Sequence, residues 1–225
     1  MIVAEIKPLA EIKEMVKKYR KVLIVGCGAC VTVCLSGGKK QVELLASALR
    51  TVKKMEGEDA VIGERTIPRQ CELKFIEQMK DEASQYEAIL SMGCGAGVQS
   101  IAEDLENIPV LPAMNTLFIG ASDGRGTWIE LCAACGDCIL WRTGGICPVA
   151  RCAKRLIYGP CGGSQGGRCE VSKDNPCVWQ QIYTRLMKLN QLHLLMGSSQ
   201  PKAWPVHPRK LVREDLKLKK EPTGV

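Results

Sequence analysis

The residues of this 225-residue chain best equipped for chemistry are its thirteen cysteines, and they fall into two groups. The later group is the denser. Cys132-x2-Cys135-x2-Cys138 places three thiols at two-residue spacing on one tight loop, a run that holds three corners of a cubane cluster in bacterial ferredoxins, where a later Cys-Pro supplies a further ligand. Here Cys147 precedes Pro148, at a longer interval than the ferredoxin one, so the ferredoxin fold itself does not follow. Cys152, Cys161, Cys169 and Cys177 come next, giving eight thiols within 46 residues, a number that fits two four-thiolate centres. Structural zinc in a four-cysteine site is the alternative, but zinc ribbons usually present two separate C-x2-C knuckles. The triple run therefore favours iron-sulfur ligation at the Cys132 group. The wide intervals from Cys147 to Cys177 match neither template and leave iron-sulfur, zinc and simple burial of the thiol all open.

The earlier group is Cys27-x2-Cys30-x3-Cys34, which needs a fourth thiolate for a complete site. Both Cys94 and Cys71 are placed to provide it. Cys94 is preferred, because its GCGAG loop leads into a helix whose first N–H groups could donate to cluster sulfurs. The glycines around these loops (Gly26, Gly28, Gly37, Gly38, Gly93, Gly95 and Gly97) are expected to let main chain approach a bulky inorganic group.

Other chemistries fit poorly. A secreted disulfide scaffold predicts a short chain, a signal peptide and an even cysteine count, whereas dense cysteines in a reducing cytosol are ligands more often than bridges. The N-terminal residues mix Glu and Lys without an apolar stretch, and no run approaches the roughly 18 apolar residues of a membrane span. A cytoplasmic protein is expected. Neither GCGACV nor GCGAGV completes G-x-G-x-x-G, and no G-x-x-x-x-G-K-[ST] exists, which argues against a nucleotide loop. Two Phe, four Tyr and four Trp are too few for a nucleic-acid stacking platform, despite a net charge of +7. His193 and His207 read as surface or interface residues, and no Ser-His-Asp or paired-carboxylate pattern stands out. No catalytic residue is assigned.

These thiols need a frame. Lys21 to Val25, Ala60 to Ile67 and Tyr86 to Met92 read as strands that alternate with helices over Val42–Val52, Leu73–Met79 and Val98–Leu105. Pro109 to Gly120 reads as a fourth short strand or a connector. Such alternation predicts an α/β fold, a small parallel, Rossmann-like sheet with helices on its faces. Ligands of such sheets sit beyond the carboxyl ends of the strands, where Cys27, Cys71 and Cys94 should converge. The expected division is an α/β domain over 1–120, a cysteine-rich, largely irregular and helical cluster-binding domain over 121–197, and an extended basic tail over 198–225. An amphipathic helix carrying Val178, Trp179, Ile182, Tyr183, Leu186 and Leu189, and reaching His193, is expected to close the second domain.

GCGACVTVCLSGGKK (26–40), CGDCILWRTGGICPVARCAK (135–154) and YGPCGGSQGGRCEVSKDNPCVWQQIYTRL (158–186) resemble the small iron-sulfur subunit of acetogen-type methylenetetrahydrofolate reductase, a family also described as a methylenetetrahydrofolate reductase C-terminal, zinc-binding-like domain. The resemblance runs from about residue 10 to 196. It implies an electron-transfer subunit without catalytic residues of its own, working beside a flavin-containing TIM-barrel subunit in one-carbon, acetyl-CoA-pathway metabolism. It further implies two or three [4Fe-4S] clusters held by all thirteen cysteines, zinc at one four-cysteine site as the variant, and FMN or FAD in the partner only. An additional electron-donating iron-sulfur or flavin protein would complete the heteromer. The alternative within the same resemblance is a zinc-binding scaffold. No nucleic acid and no membrane span are implied.

Overall fold

The computed structural model describes residues 1–196, 201–213 and 215. The chain divides into two compact units, Met1–Ala133 and Ala134–Val225. The first is α/β, and its centre is a four-stranded parallel sheet of order β3-β2-β4-β5, formed by β2 (Lys21–Cys27), β3 (Val61–Ile67), β4 (Ala88–Met92) and β5 (Val110–Pro112).

The apolar run of β2 is buried on both faces, and its alternation sorts the core into two halves. Val22 and Ile24 pack with Val42, Leu45 and Leu49 of α3 (Lys39–Met55) and with Ile12 and Val16 of α1 (Leu9–Val16). Leu23 and Val25 pack on the other face with Ile76 of α4 (Leu73–Glu77), Ala83 of α5 (Lys80–Ala83) and Ile101 of α6 (Gly95–Asp104). Successive residues of a strand point to opposite faces, so one short sequence serves both layers. Each such Leu, Ile or Val contributes about 1.5–3 kcal/mol by leaving water.

The strand order makes the gap between β2 and β4 a switch point: the chain leaves β2 toward β3 on one side and returns through β4 on the other. That is where a doubly wound sheet opens a crevice for a ligand.

A second, antiparallel sheet of order β1-β6-β7 has no counterpart in the sequence reading. It joins β1 (Ile2–Ile6), β6 (Met114–Ser122) and β7 (Trp128–Cys132), with Ile2 opposite Ile119 and Ile119 opposite Cys132. β1 and its partner β6 lie more than a hundred residues apart, so no local periodicity announces β1. The segment from Pro109 to Gly120 is two strands: β5 runs parallel to β4, Ala113 donates to Ser91 O and accepts from Lys7 N–H, and β6 runs antiparallel to β1. Asp123 forms the β6–β7 turn by accepting N–H bonds from Arg125 (2.8 Å) and Thr127 (3.0 Å) on Oδ1. Residue 120, the expected end of the first domain, therefore falls inside β6, and the first unit continues to Ala133.

The second unit is short on regular structure. Among its described residues it holds the single turn α7 (Pro148–Arg151), two 3-10 turns and one longer helix, α8 (Val178–Lys188). Val178, Trp179, Ile182 and Leu186 of α8 form a small apolar core with Ile146, Leu192 and Leu194. His193 lies beyond α8, in the 3-10 turn Leu192–Leu195, because the helix ends at Lys188 and Asn190 takes a left-handed φ of 54°. Residues 201–213 carry no helix or strand. The remainder of the expected basic tail, 198–200, 214 and 216–225, lies outside the described residues.

Candidate thiolate centres

In the first unit three cysteines meet at the carboxyl edge of the parallel sheet. Cys27 ends β2 opposite Ile67, the last residue of β3, and the next amide, Gly28 N–H, donates to Ile67 O at 2.8 Å. Cys71 follows β3 by four residues, and Cys94 follows β4 by two and precedes α6. The Cys71 thiol is pushed up from its ordinary pKa, first by partial burial of the sulfur and then by its neighbours Cys94 and Cys27. Cys71 is thus within electrostatic reach of both Cys94 and Cys27.

A buried polar node fixes this edge. Gln70, 1% exposed, donates from Nε2 to Val25 O (2.7 Å) and accepts on Oε1 from Ser91 Oγ (2.6 Å). Ser91 Oγ in turn accepts from Gly93 N–H at 3.2 Å. Gln70 stands next to Cys71 and links the strands that lead into Cys27 and Cys94. A Cβ at Gly93 would lie 2.1 Å from Gln70 Oε1, and one at Gly37 would lie 2.1 Å from Met92 O. These two glycines make room for protein atoms. The first amide of α6 is likewise engaged, since Gly95 N–H donates to Thr116 Oγ1 at 2.8 Å.

Cys30 and Cys34 lie on and just after the single-turn helix α2 (Cys30–Val33). Cys34 is buried, its Sγ donates to Ile2 O at 3.4 Å, and burial pushes its thiol pKa up, with Cys30 adding to the rise. Thr32 Oγ1 donates to Cys27 O (2.7 Å) and Cys27 N–H to Gly37 O (3.0 Å), so the 27–38 loop is tied to itself. The sequence spacing did not reveal the contact of Cys34 with β1, because β1 itself was not visible there.

In the second unit four cysteines, Cys152, Cys161, Cys169 and Cys177, line one cavity of about 160 Å³. Their intervals of eight or nine residues hid this convergence. Cys152 follows α7, and Cys177 precedes α8. Cys169 N–H donates to Asn175 O (2.9 Å) and Cys177 N–H to Gly167 O (2.7 Å), which closes the intervening loop. Trp179 Nε1 donates to Leu156 O at 2.9 Å and pins the 152–161 segment to α8. Backbone N–H groups of Ser172 and Val171 hold the Cys169 thiol below its ordinary pKa, with Lys154 and Lys173 assisting. Lys154 also lines the cavity and pairs with Glu170. Four sulfurs, N–H donors to one of them and a nearby cation are the donor set that a thiolate-bound metal centre requires.

The other four cysteines are dispersed over several elements. Cys132 is exposed at the end of β7 in the first unit. Cys135 and Cys138 follow in the second unit, where Cys135 Sγ lies 3.8 Å from Asp137 O, and Cys147 precedes α7. Among the described residues no three His, Cys, Asp or Glu side chains close around a single-ion position. His193 and His207 are both exposed. No helix among the described residues is long and apolar enough to cross a membrane.

No curated protein and no solved structure matches the chain. A family model described as methylene-tetrahydrofolate reductase C terminal matches residues 111–205. The match spans β6, β7, α7 and α8, and it takes in all eight cysteines from Cys132 to Cys177. Residues 111–205 are thus similar to a family described as the C terminus of methylene-tetrahydrofolate reductase.

Proposed function

We propose that the chain is the electron-transfer subunit of a cytoplasmic methylenetetrahydrofolate reductase and holds two or three [4Fe-4S] clusters on its cysteines. The observation that carries this reading is the cavity of about 160 Å³ ringed by Cys152, Cys161, Cys169 and Cys177. Cys27, Cys71 and Cys94 at one sheet edge support a further centre, and the Cys132, Cys135, Cys138 and Cys147 set supports another by its spacing. When bound, such clusters supply one-electron transfer at potentials tuned by hydrogen bonds and charge around the sulfurs.

The protein's own residues provide that tuning. Val171 and Ser172 N–H groups and Lys154 stabilise negative charge on Cys169, and the Gln70 node sets the positions of Cys71 and Cys94. Hydride chemistry on the folate falls to a flavin-containing TIM-barrel partner, and an iron-sulfur or flavin protein delivers electrons. Zinc in the four-cysteine cavity is the second reading, favoured by the presence of four cysteines along the lining of one small space. It would make the chain a scaffold for the same enzyme.

The test is anaerobic purification followed by visible spectroscopy with the flavin subunit added. A brown protein whose absorption near roughly 400 nm bleaches on reduction, and which then reduces the flavin, supports the relay. A colourless, folded protein containing zinc alone overturns it in favour of the scaffold.

A further inference from the structure

Within the segment expected to be an extended tail, one lysine is out of water. The Lys202 side chain is 2% exposed, while Ala203 and Trp204 beside it are exposed. An ammonium held away from solvent is stable only where other groups answer it. Here Nζ donates to Asp137 O, stands 3.5 Å from Asp137 Oδ2 and lies 5.4 Å from the centre of the Trp204 ring. The amide of the same residue donates to Tyr158 OH at 2.6 Å. Asp137 sits between Cys135 and Cys138, and Tyr158 comes three residues before Cys161. Lys202 thus fastens two cysteine-bearing loops of the second unit to each other.

The chain beyond Lys202 follows the same loop. Gly136 takes a left-handed φ of 85°, and a Cβ there would lie 3.4 Å from Arg209 Nη1 and 3.5 Å from Pro205 Cγ. The tail segment therefore lies against the turn that joins Cys135 to Cys138. Asp137 O accepts from Cys135 Sγ (3.8 Å) as well as from Lys202 Nζ. A thiol that ligates a metal gives up its proton. Asp137 O then loses one of these two donors and faces a thiolate, and the Lys202 ammonium is the donor that stays.

We propose that Lys202 is a positioning residue for the Cys135–Cys138 loop: it clamps the tail segment across the loop, and its ammonium offsets the negative charge of the thiolate centre there. The clamp's role rests on the reading of Cys132, Cys135, Cys138 and Cys147 as one ligand set. A loop tied in this way releases bound metal slowly, and a cation close to its sulfurs favours the reduced, more negative state of a cluster.

The experiment follows metal release to a chelator, and reductive titration by electron paramagnetic resonance, in the full chain purified anaerobically. Cys135→Ala marks which centre belongs to the loop. Lys202→Met keeps the stem and deletes the ammonium, and it releases that centre's iron at least about tenfold faster, the lower end of what loss of a charged hydrogen bond costs. It also moves the midpoint potential of that centre to a more negative value and leaves the four-cysteine centre unchanged. Tyr158→Phe removes the other anchor but no charge, so it speeds release about two- to tenfold with the potential unmoved, and it carries the test should Lys202→Met unfold. Unchanged release in both variants overturns the proposal, and so does an iron centre whose potential Lys202→Met leaves in place. Full metal content in Cys135→Ala overturns it as well, because the loop then holds nothing. Zinc in place of iron, lost faster from Lys202→Met, upholds the clamp and sinks the relay.

Discussion

Gln70 Oε1 accepts a 2.6 Å hydrogen bond from Ser91 Oγ, and through that bond the loop bearing Cys71 is fastened to the strand that leads into Cys94. Both partners are buried, and Gln70 Nε2 reaches the third cysteine-bearing strand at Val25 O. Gln70→Leu keeps much of the volume but leaves Ser91 Oγ and Val25 O without that partner. Buried polar groups left unpaired cost about 1–3 kcal/mol each. We therefore expect a loss of about 2–4 kcal/mol in denaturant unfolding, together with faster alkylation of Cys71 and Cys94. Gly93→Ala should lose about 1–3 kcal/mol by overpacking against Gln70.

Cysteine substitutions should separate the two units. Cys161→Ala should remove the metal of the second unit's cavity and lower that unit's stability, because metal-ligand bonds there stand in for a large core. Metal bound at the first unit should persist. Elemental analysis of Cys161→Ala, Cys71→Ala and Cys94→Ala checks this, and the last two decide which cysteine completes the Cys27 site.

Trp179 couples α8 to the Cys161 loop by the Nε1 bond to Leu156 O. Trp179→Phe preserves the packing with Ile182 but deletes that bond, costing about 0.5–1.5 kcal/mol. The expected readout is faster metal loss to a chelator from the second unit with an unchanged unfolding midpoint for the first.

Acid stability has an identifiable contributor in Glu87. Its Oε2 accepts from the N–H groups of Arg20 (2.6 Å) and Lys21 (3.2 Å), and these bonds hold its carboxyl below the usual range. A carboxyl with a lowered folded pKa stabilises the fold fully above its unfolded pKa of about 4.3. The contribution fades as pH falls from there through the folded value. Glu87→Gln should narrow the gap between urea midpoints at neutral pH and below about pH 4. An unchanged gap would show that other groups set the acid limb.

Periodicity exposed β2, β3 and β4 because each is a short strand-like run followed by helical spacing, whereas β5, three residues leading into β6, read only as part of a strand or connector. It also placed Cys27, Cys71 and Cys94 at one edge, since the topology puts every strand's carboxyl end on the same side. The antiparallel sheet stayed hidden: β1 has only five residues, and its partner β6 lies far along the chain. The Gln70 node was equally silent, because a lone glutamine acquires meaning only when Val25 and Ser91 arrive beside it. In the second unit Cys152 and Cys177 lie 25 positions apart, and their meeting depends on the Cys169–Asn175 and Cys177–Gly167 bonds rather than on any regular repeat.

The most direct measurement is iron and acid-labile sulfide per chain in oxygen-free protein. Two or three cubanes demand about eight to twelve of each. Zinc near one per chain, with iron and sulfide at background, would contradict the account.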